Sequence, residues 1–172
     1  MKDYVAAMGG AALGARLRRL SAAIDADAAR VYAASGIRFE QRWFGVVNQL
    51  ALAGSLSVRQ LADALGISHA SISETRQSLE KAGLITSTAD PADARRRVLT
   101  LTSSGELLVA KLRPLWAAFD AVAQELDTEA GGVTEALARL ERALAQSSLY
   151  ERIAGIVERY GSDDLAIGPF AE

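Results

Sequence analysis

The chain has 172 residues, of which 50% are hydrophobic and 23% are charged, and its formal net charge is −2. This length predicts one domain, or one domain with an appended helical part, with enough apolar residues for a core. There is no cysteine and a single histidine, which excludes disulfides and thiolate catalysis and argues against metal sites and a histidine-dependent triad. We therefore expect no metal and no cofactor.

The sequence contains no apolar run near the roughly 18 residues of a membrane span, and its beginning lacks the pattern of a signal peptide. We expect a cytoplasmic protein without a membrane partner. The small negative charge argues only weakly against nucleic acid, because the charge of the local surface matters more than the total.

Two amphipathic helices are predicted first. Apolar residues recur at steps of three and four from Leu13 to Tyr32, which indicates a long helix ending near residues 35–36. A second helix is predicted over Phe39–Leu52, with Gly54 as its end.

A helix-turn-helix follows. Leu61, Ala62 and Leu65 are spaced for one face of a short helix that Gly66 ends, and Ser68 is a suitable N-cap for the next helix. That next helix, which we call the recognition helix, continues to Gly83. Two helices joined by a short turn that contains glycine are typical of this motif.

Two β-branched segments with period-two alternation come next, at residues 84–88 and 98–102. A loop with Pro91 and two aspartates lies between them and ends in Arg95-Arg96-Arg97. The two strands predict a β-ribbon with a basic tip, which we call the wing. The predicted fold class is mainly α with a small β wing, a winged helix-turn-helix with dimerisation helices at both ends.

Further helices are predicted at residues 104–126, 133–145 and about 149–160. The apolar stripes of the first helix and of the helices at 104–126 and 133–145 exceed what a monomer's surface needs, which favours a homodimer with packing across a two-fold axis. The alternative is a monomeric bundle closed by the same stripes. The predicted parts are N-terminal helices for dimerisation and support at 13–53, the winged DNA-binding segment at 55–103, C-terminal dimerisation helices at 104–161 and a tail at 162–172.

The sequence resembles the MarR (multiple antibiotic resistance regulator) family over residues 13–147. The specific parts are residues 56–66, the helix end at 79–84, and the wing at 90–95 leading to 101–105. Residues 42–44 and 148–152 are most similar to the regulator half of members fused to an acetyltransferase. The resemblance implies a homodimer that binds double-stranded DNA at a pseudo-palindromic operator and is often released by a small ligand.

The expected DNA contacts come from the recognition helix, which fits a major groove, and from the wing, whose arginines suit a narrow minor groove. The resemblance implies that Asp93 orients the wing loop and that Arg95 enters the groove. Glu74 and Arg76 depart from the family pattern, and Arg76 could reach a phosphate or pair with Glu80. The predicted DNA-binding residues are Ser57, Ser68, His69, Ala70, Ser71, Ser73, Glu74, Arg76, Gln77, Asp93, Arg95, Arg96 and Arg97.

Six aromatic residues could line a crevice for a small aromatic effector, although aromatic residues at helical spacing are more often core. They are Tyr32, Phe39, Trp43, Phe44, Trp116 and Phe119. The function that this sequence favours is a DNA-binding transcriptional regulator, with repression as the favoured mode. The alternative is a winged-helix protein-interaction module. An enzyme is disfavoured because no phosphate loop, metal-ligand cluster or nucleophile–base spacing occurs.

Overall fold

The computed structural model describes residues 3–90 and 93–160, except the side chains of Ala6, Asp90 and residues 93–96. The predicted tail at 162–172 lies outside the described residues. Contacts divide the chain into two units after Leu115.

The first described elements are a single helical turn, α1 (Tyr4–Ala7), and a 3₁₀ turn at Gly9–Ala12. The predicted long helix is present as α2 (Leu13–Ala34). The second predicted helix starts later than expected, because Gln41–Trp43 forms a 3₁₀ turn before α3 (Phe44–Ala53). Phe39 precedes that turn, in an extended connection, and its ring is buried.

The helix-turn-helix is α4 (Val58–Leu65) followed by α5 (His69–Lys81). Gly66 caps α4 in the left-handed conformation at φ 64°, which a residue with a Cβ rarely adopts. The Ser68 hydroxyl accepts a hydrogen bond from the Ser71 amide over 3.1 Å, as an N-cap should. Gly66 therefore ends α4 and Ser68 caps α5, as the sequence predicted.

The wing is part of a three-stranded antiparallel sheet in the order β1-β3-β2, with β1 at Ser55–Ser57, β2 at Ile85–Asp90 and β3 at Asp93–Leu101. The sequence predicted only two strands. It missed β1 because three residues with one apolar side chain, Leu56, give no alternation to detect. Leu56 pairs with Leu99 of β3, which joins the start of α4 to the wing.

The core of the first unit lies between α2, α3, α4, α5 and the sheet. Fully buried side chains come from every one of these elements, so the helices and the sheet share one core. They are Tyr32, Val46, Val47, Leu50, Leu61, Ile72, Leu79 and Leu99.

Three helices make up the C-terminal part: α6 (Ser103–Glu129), which crosses the boundary between the units, α7 (Val133–Gln146) and α8 (Leu149–Tyr160). The predicted break at Gly131-Gly132 is present, with both residues at positive φ. No residue of α7 or α8 is buried. Within the described ranges, no helix combines the length and the apolar character that crossing a bilayer requires.

Candidate nucleic-acid interface

The orientation of α5 is fixed by three buried residues. Ile72, Thr75 and Leu79 are 0%, 7% and 0% exposed, and their spacing places them on one side of the helix. The opposite side carries Ala70, Glu74 and similar exposed residues along the whole length of the helix. A helix held in this way presents a polar surface that a major groove can accommodate.

Hydroxyl groups at the start of α5 already serve the helix. The Ser68 and Ser71 hydroxyls lie 2.9 Å apart, and the Ser73 hydroxyl donates to the His69 carbonyl over 2.8 Å. In contrast, the side chains of His69, Glu74 and Gln77 are exposed and make no hydrogen bond within the part of the chain that the structure describes. These three side chains are the ones whose polar ends remain free for a ligand outside the chain.

Two residues from the predicted DNA-binding set have partners within the protein. Ser57 forms a capping box at the start of α4, in which its hydroxyl lies 2.8 Å from the Gln60 amide oxygen and accepts from the Gln60 backbone over 3.2 Å. Arg76 donates to the Glu80 carboxylate over 2.8 Å. The sequence left two roles open for Arg76, a phosphate contact or a pair with Glu80. The structure shows the pair with Glu80.

The wing arginines lie on a strand. The sequence predicted that residues 95–97 close a loop, but β3 begins at Asp93, because backbone pairing with β2 needs no apolar side chain. Arg97 is exposed and pairs with Ala89 in the ladder. The side chains of Asp93, Arg95 and Arg96 lie outside the described residues, so their predicted contacts stay predictions.

Thr102, at the base of the wing, forms hydrogen bonds with the residues that follow α5. The sequence did not predict these contacts. The Thr102 hydroxyl donates to the Gly83 carbonyl over 2.7 Å and accepts from the Gly105 amide over 3.1 Å. Its own amide donates to the Leu84 carbonyl over 3.0 Å. A threonine after a strand is too common to predict such a contact from sequence. The contact can be recognised only in the structure, where residues 83–84 lie beside Thr102.

Three of the six aromatic residues form one buried cluster in the first unit. The rings of Tyr32 and Phe39 lie 5.0 Å apart and those of Phe39 and Trp43 lie 5.7 Å apart, both edge to face. The Tyr32 hydroxyl donates to the Gln41 side-chain oxygen over 2.9 Å. This packing favours the core role that the sequence left open for these three rings.

The other three aromatic residues, Phe44 in the first unit and Trp116 and Phe119 in the second, are half-buried. The effector pocket that was predicted from all six stays a prediction.

One protein-family model matches part of the chain. Residues 36–96 match the model of the MarR family. No curated protein sequence matches the chain. The solved structures described next show that the chain has the winged-helix fold of that family.

Solved structures of regulators share this fold. A DNA complex of the transcriptional regulator MosR from M. tuberculosis is 23% identical, with a TM-score of 0.63 over 78% of this chain and 96% of that one. PcaV from Streptomyces coelicolor is 24% identical, with a TM-score of 0.57 over 77% and 96%. BpsR from Bordetella bronchiseptica, whose DNA binding is regulated by 6-hydroxynicotinic acid, is 25% identical, with a TM-score of 0.56 over 78% and 93%.

Proposed function

We propose that this chain is a transcriptional regulator that binds a pseudo-palindromic DNA operator as a homodimer and acts as a repressor. The observation that carries the proposal is the exposed side of α5, which carries His69, Glu74 and Gln77 and lies opposite the buried side of the helix. Arg97, exposed on the wing, adds positive charge to the same segment. Such a helix beside a basic ribbon fits a major groove and the adjacent backbone. A regulator of this kind works beside the chromosome, so the proposal places it in the cytoplasm.

The homodimer is proposed because helices at both ends of the chain expose apolar side chains. A single copy would leave these stripes in water, whereas a two-fold partner with the same stripes could cover them. Two copies related in this way would present two recognition helices to two half-sites about one helical turn apart, around 34 Å. The apolar residues that carry this argument are Leu13, Leu17, Leu20, Ile24, Leu137, Leu144, Leu149, Ile153, Ile156 and Val157.

A small aromatic effector that releases the operator is the finer part of the proposal. It is supported by BpsR, in which 6-hydroxynicotinic acid regulates DNA binding, and by a complex of PcaV with its natural ligand. The resemblance of residues 42–44 to regulators fused to an acetyltransferase remains a prediction.

A protein-interaction module is the second candidate. Glu74 favours it, because an exposed carboxylate in the middle of the recognition helix would repel phosphates. Under this alternative the winged fold would contact an acceptor surface on another protein, and the chain would show no preference for one DNA sequence.

The test is a fluorescence anisotropy titration with the promoter region beside the protein's own gene and with an unrelated duplex, at two salt concentrations. We expect both affinities to fall as salt rises, with the promoter bound at least about a thousandfold more tightly. Sedimentation of the free protein should give twice the chain mass. Equal affinity for the two duplexes would reject the regulator and favour the interaction module.

A further inference from the structure

The helix-turn-helix carries no net charge of its own. Three cations and three carboxylates lie between residues 58 and 81, and two of the cations are paired. Arg59 lies 3.7 Å from Asp63. Arg76 lies 2.8 Å from Glu80. Because much of a protein's affinity for DNA comes from the neutralisation of phosphates, this segment needs positive charge from residues beside it.

The remaining cation of the segment is Lys81, in the last turn of α5. It follows Ala70, Glu74 and Gln77 at steps of four, three and four residues, so the four residues lie along one line on the exposed side of the helix. Recognition helices contact base edges with their N-terminal residues. Lys81, about 10 Å beyond Glu74 at a rise of about 1.5 Å per residue, therefore approaches the edge of the groove, where the phosphates lie.

Lys81 also borders a concave surface between the end of α5 and the connection before α3, with a volume of about 620 Å³. We call this surface the flanking cleft. Arg38 and Lys81 are exposed and form no ion pair within the described ranges. Two uncompensated cations therefore lie beside the exposed side of the recognition helix. The charged and polar residues that line the flanking cleft include Arg38, Glu40, Arg42, Ser78 and Lys81.

Arg42 joins the two sides of the flanking cleft. Its Nε lies 2.6 Å from the Glu40 carboxylate, and its Nη2 donates to the Ser78 hydroxyl over 3.2 Å. The Trp43 indole nitrogen donates to the same hydroxyl over 3.1 Å, and Trp43 is only 4% exposed. These contacts hold the connection before α3 against α5, so the backbone that carries Arg38 has a fixed position beside the recognition helix.

We propose that the flanking cleft binds the phosphate backbone of double-stranded DNA, with Arg38 and Lys81 as the contacting cations. Neither residue belongs to the DNA-binding set predicted from the sequence, so the contact extends the interface to the connection before α3. DNA is favoured over an acidic protein because Lys81 continues the line of residues that fits a major groove. The inference rests on the proposed DNA-binding function and states which residues supply its positive charge.

The test is an anisotropy titration of the full chain with the promoter duplex and with an unrelated duplex, over a range of salt concentrations. Each phosphate contact contributes about 0.9 to the salt slope, and the proposed homodimer has two copies of the cleft. Lys81→Gln and Arg38→Gln should each lower the slope by about two and weaken binding on the order of tenfold. Both duplexes should lose the same factor, because backbone contacts carry no sequence information.

The matched controls are Lys111→Gln on α6 and Arg142→Gln on α7. Each removes an exposed cation that lies outside the flanking cleft and forms no ion pair in the part of the chain that the structure describes, so the slope should not change. Lys81→Arg keeps the charge and should keep the wild-type slope. A cation in the last turn also stabilises a helix, but the loss of that role alone would lower stability and leave the salt slope as it is.

Three results would overturn this inference and leave the proposed regulator standing. The first is a wild-type slope in both Lys81→Gln and Arg38→Gln. The second is a loss of affinity confined to the promoter duplex, which would indicate a contact with bases. The third is an equal loss in the two control variants, which would indicate a general effect of net charge. A wild type without affinity for either duplex would reject the regulator together with this contact, and an acidic protein would then be the better partner for the flanking cleft.

Discussion

The guanidinium of Arg76 lies 2.8 Å from the carboxylate of Glu80, one helical turn further along α5. Both side chains are largely covered, at 23% and 29% exposure. Most of the other ion pairs in the described ranges lie in water, where they contribute little. The pair of Arg76 and Glu80 therefore stabilises the recognition helix.

We expect a double-mutant cycle of Arg76→Gln and Glu80→Gln to give a coupling free energy of about 1 kcal/mol in urea unfolding, because reduced hydration strengthens the pair. The matched control is the exposed pair of Arg139 and Glu135 on α7, with a 2.6 Å contact, for which about 0.3–0.5 kcal/mol is expected. Equal coupling free energies in the two cycles would show that partial burial does not strengthen the pair of Arg76 and Glu80.

Gly105 allows the start of α6 to approach Leu84, which lies between α5 and β2. A Cβ at this position would overlap the carbonyl oxygen of Leu84 and lie 3.2 Å from Leu101 Cδ2. Because a backbone carbonyl cannot move aside as a side chain can, we expect Gly105→Ala to lower the free energy of unfolding by about 3 kcal/mol. Urea denaturation followed by circular dichroism measures this.

The control for that substitution is Gly155→Ala in α8, where a Cβ would meet nothing within 4 Å. Alanine there should leave stability unchanged or raise it by up to about 1 kcal/mol, since alanine favours helices. If both substitutions have the same effect, helix propensity and not the close approach to Leu84 governs Gly105.

The wing gives a third prediction. Arg95→Ala should weaken operator binding by about 1–3 kcal/mol, because an arginine in a narrow minor groove meets the strongest negative potential. Arg30→Ala removes an equally charged side chain from the exposed surface of α2 and should change little. Anisotropy titrations at fixed salt compare the two variants, and unchanged affinity for Arg95→Ala would remove the wing from the interface.

Local chemistry explains why much of this fold could be predicted. The left-handed Gly66, the cap at Ser68 and the buried row of Ile72, Thr75 and Leu79 each follow from residue type and spacing. These features act within a few residues of one another, so the sequence contains all the information that they need.

Features that join distant segments could not be predicted in this way. The strand β1 exists because Leu56 meets Leu99, 43 positions later in the numbering. The capping box of Ser57 is different, because its partner Gln60 stands only three positions later and this spacing is a local signal that the prediction overlooked. The hydrogen bond from the Trp43 indole nitrogen to the Ser78 hydroxyl likewise joins the turn before α3 to the last turn of α5, and no spacing rule links these two segments.

A capping box at the start of α8 gives a pH dependence. The Ser148 backbone amide and then its hydroxyl donate to Glu151, at 2.7 Å and 3.0 Å, and these hydrogen bonds lower the pKa of Glu151 below its usual value. A lowered pKa in the folded state means that the contribution to stability is present above the usual glutamate pKa and is lost as the pH falls through the lowered one.

We therefore expect acid titration followed by far-ultraviolet circular dichroism to show a loss of helix in the wild type that Glu151→Gln lacks, because the amide accepts the same bonds without titrating. Glu158→Gln, in the same helix, serves as the control and should titrate as the wild type does. Identical acid curves for the wild type and Glu151→Gln would contradict the role of the capping box.

Glu74 offers the sharpest test of how the recognition helix reads DNA. Its exposed carboxylate can accept from the amino group of cytosine but repels phosphates, whereas glutamine in its place would pair with adenine. Glu74→Gln should therefore bind unrelated DNA more tightly and change its preferred base at one position of each half-site, with a discrimination of about 1–3 kcal/mol. Selection of bound duplexes from a random pool measures both effects, and Glu141→Gln on α7 controls for the loss of one charge. If the wild type and Glu74→Gln enrich the same sequences, Glu74 does not face the bases, and the orientation of α5 in the groove must differ from the one that its buried side indicates.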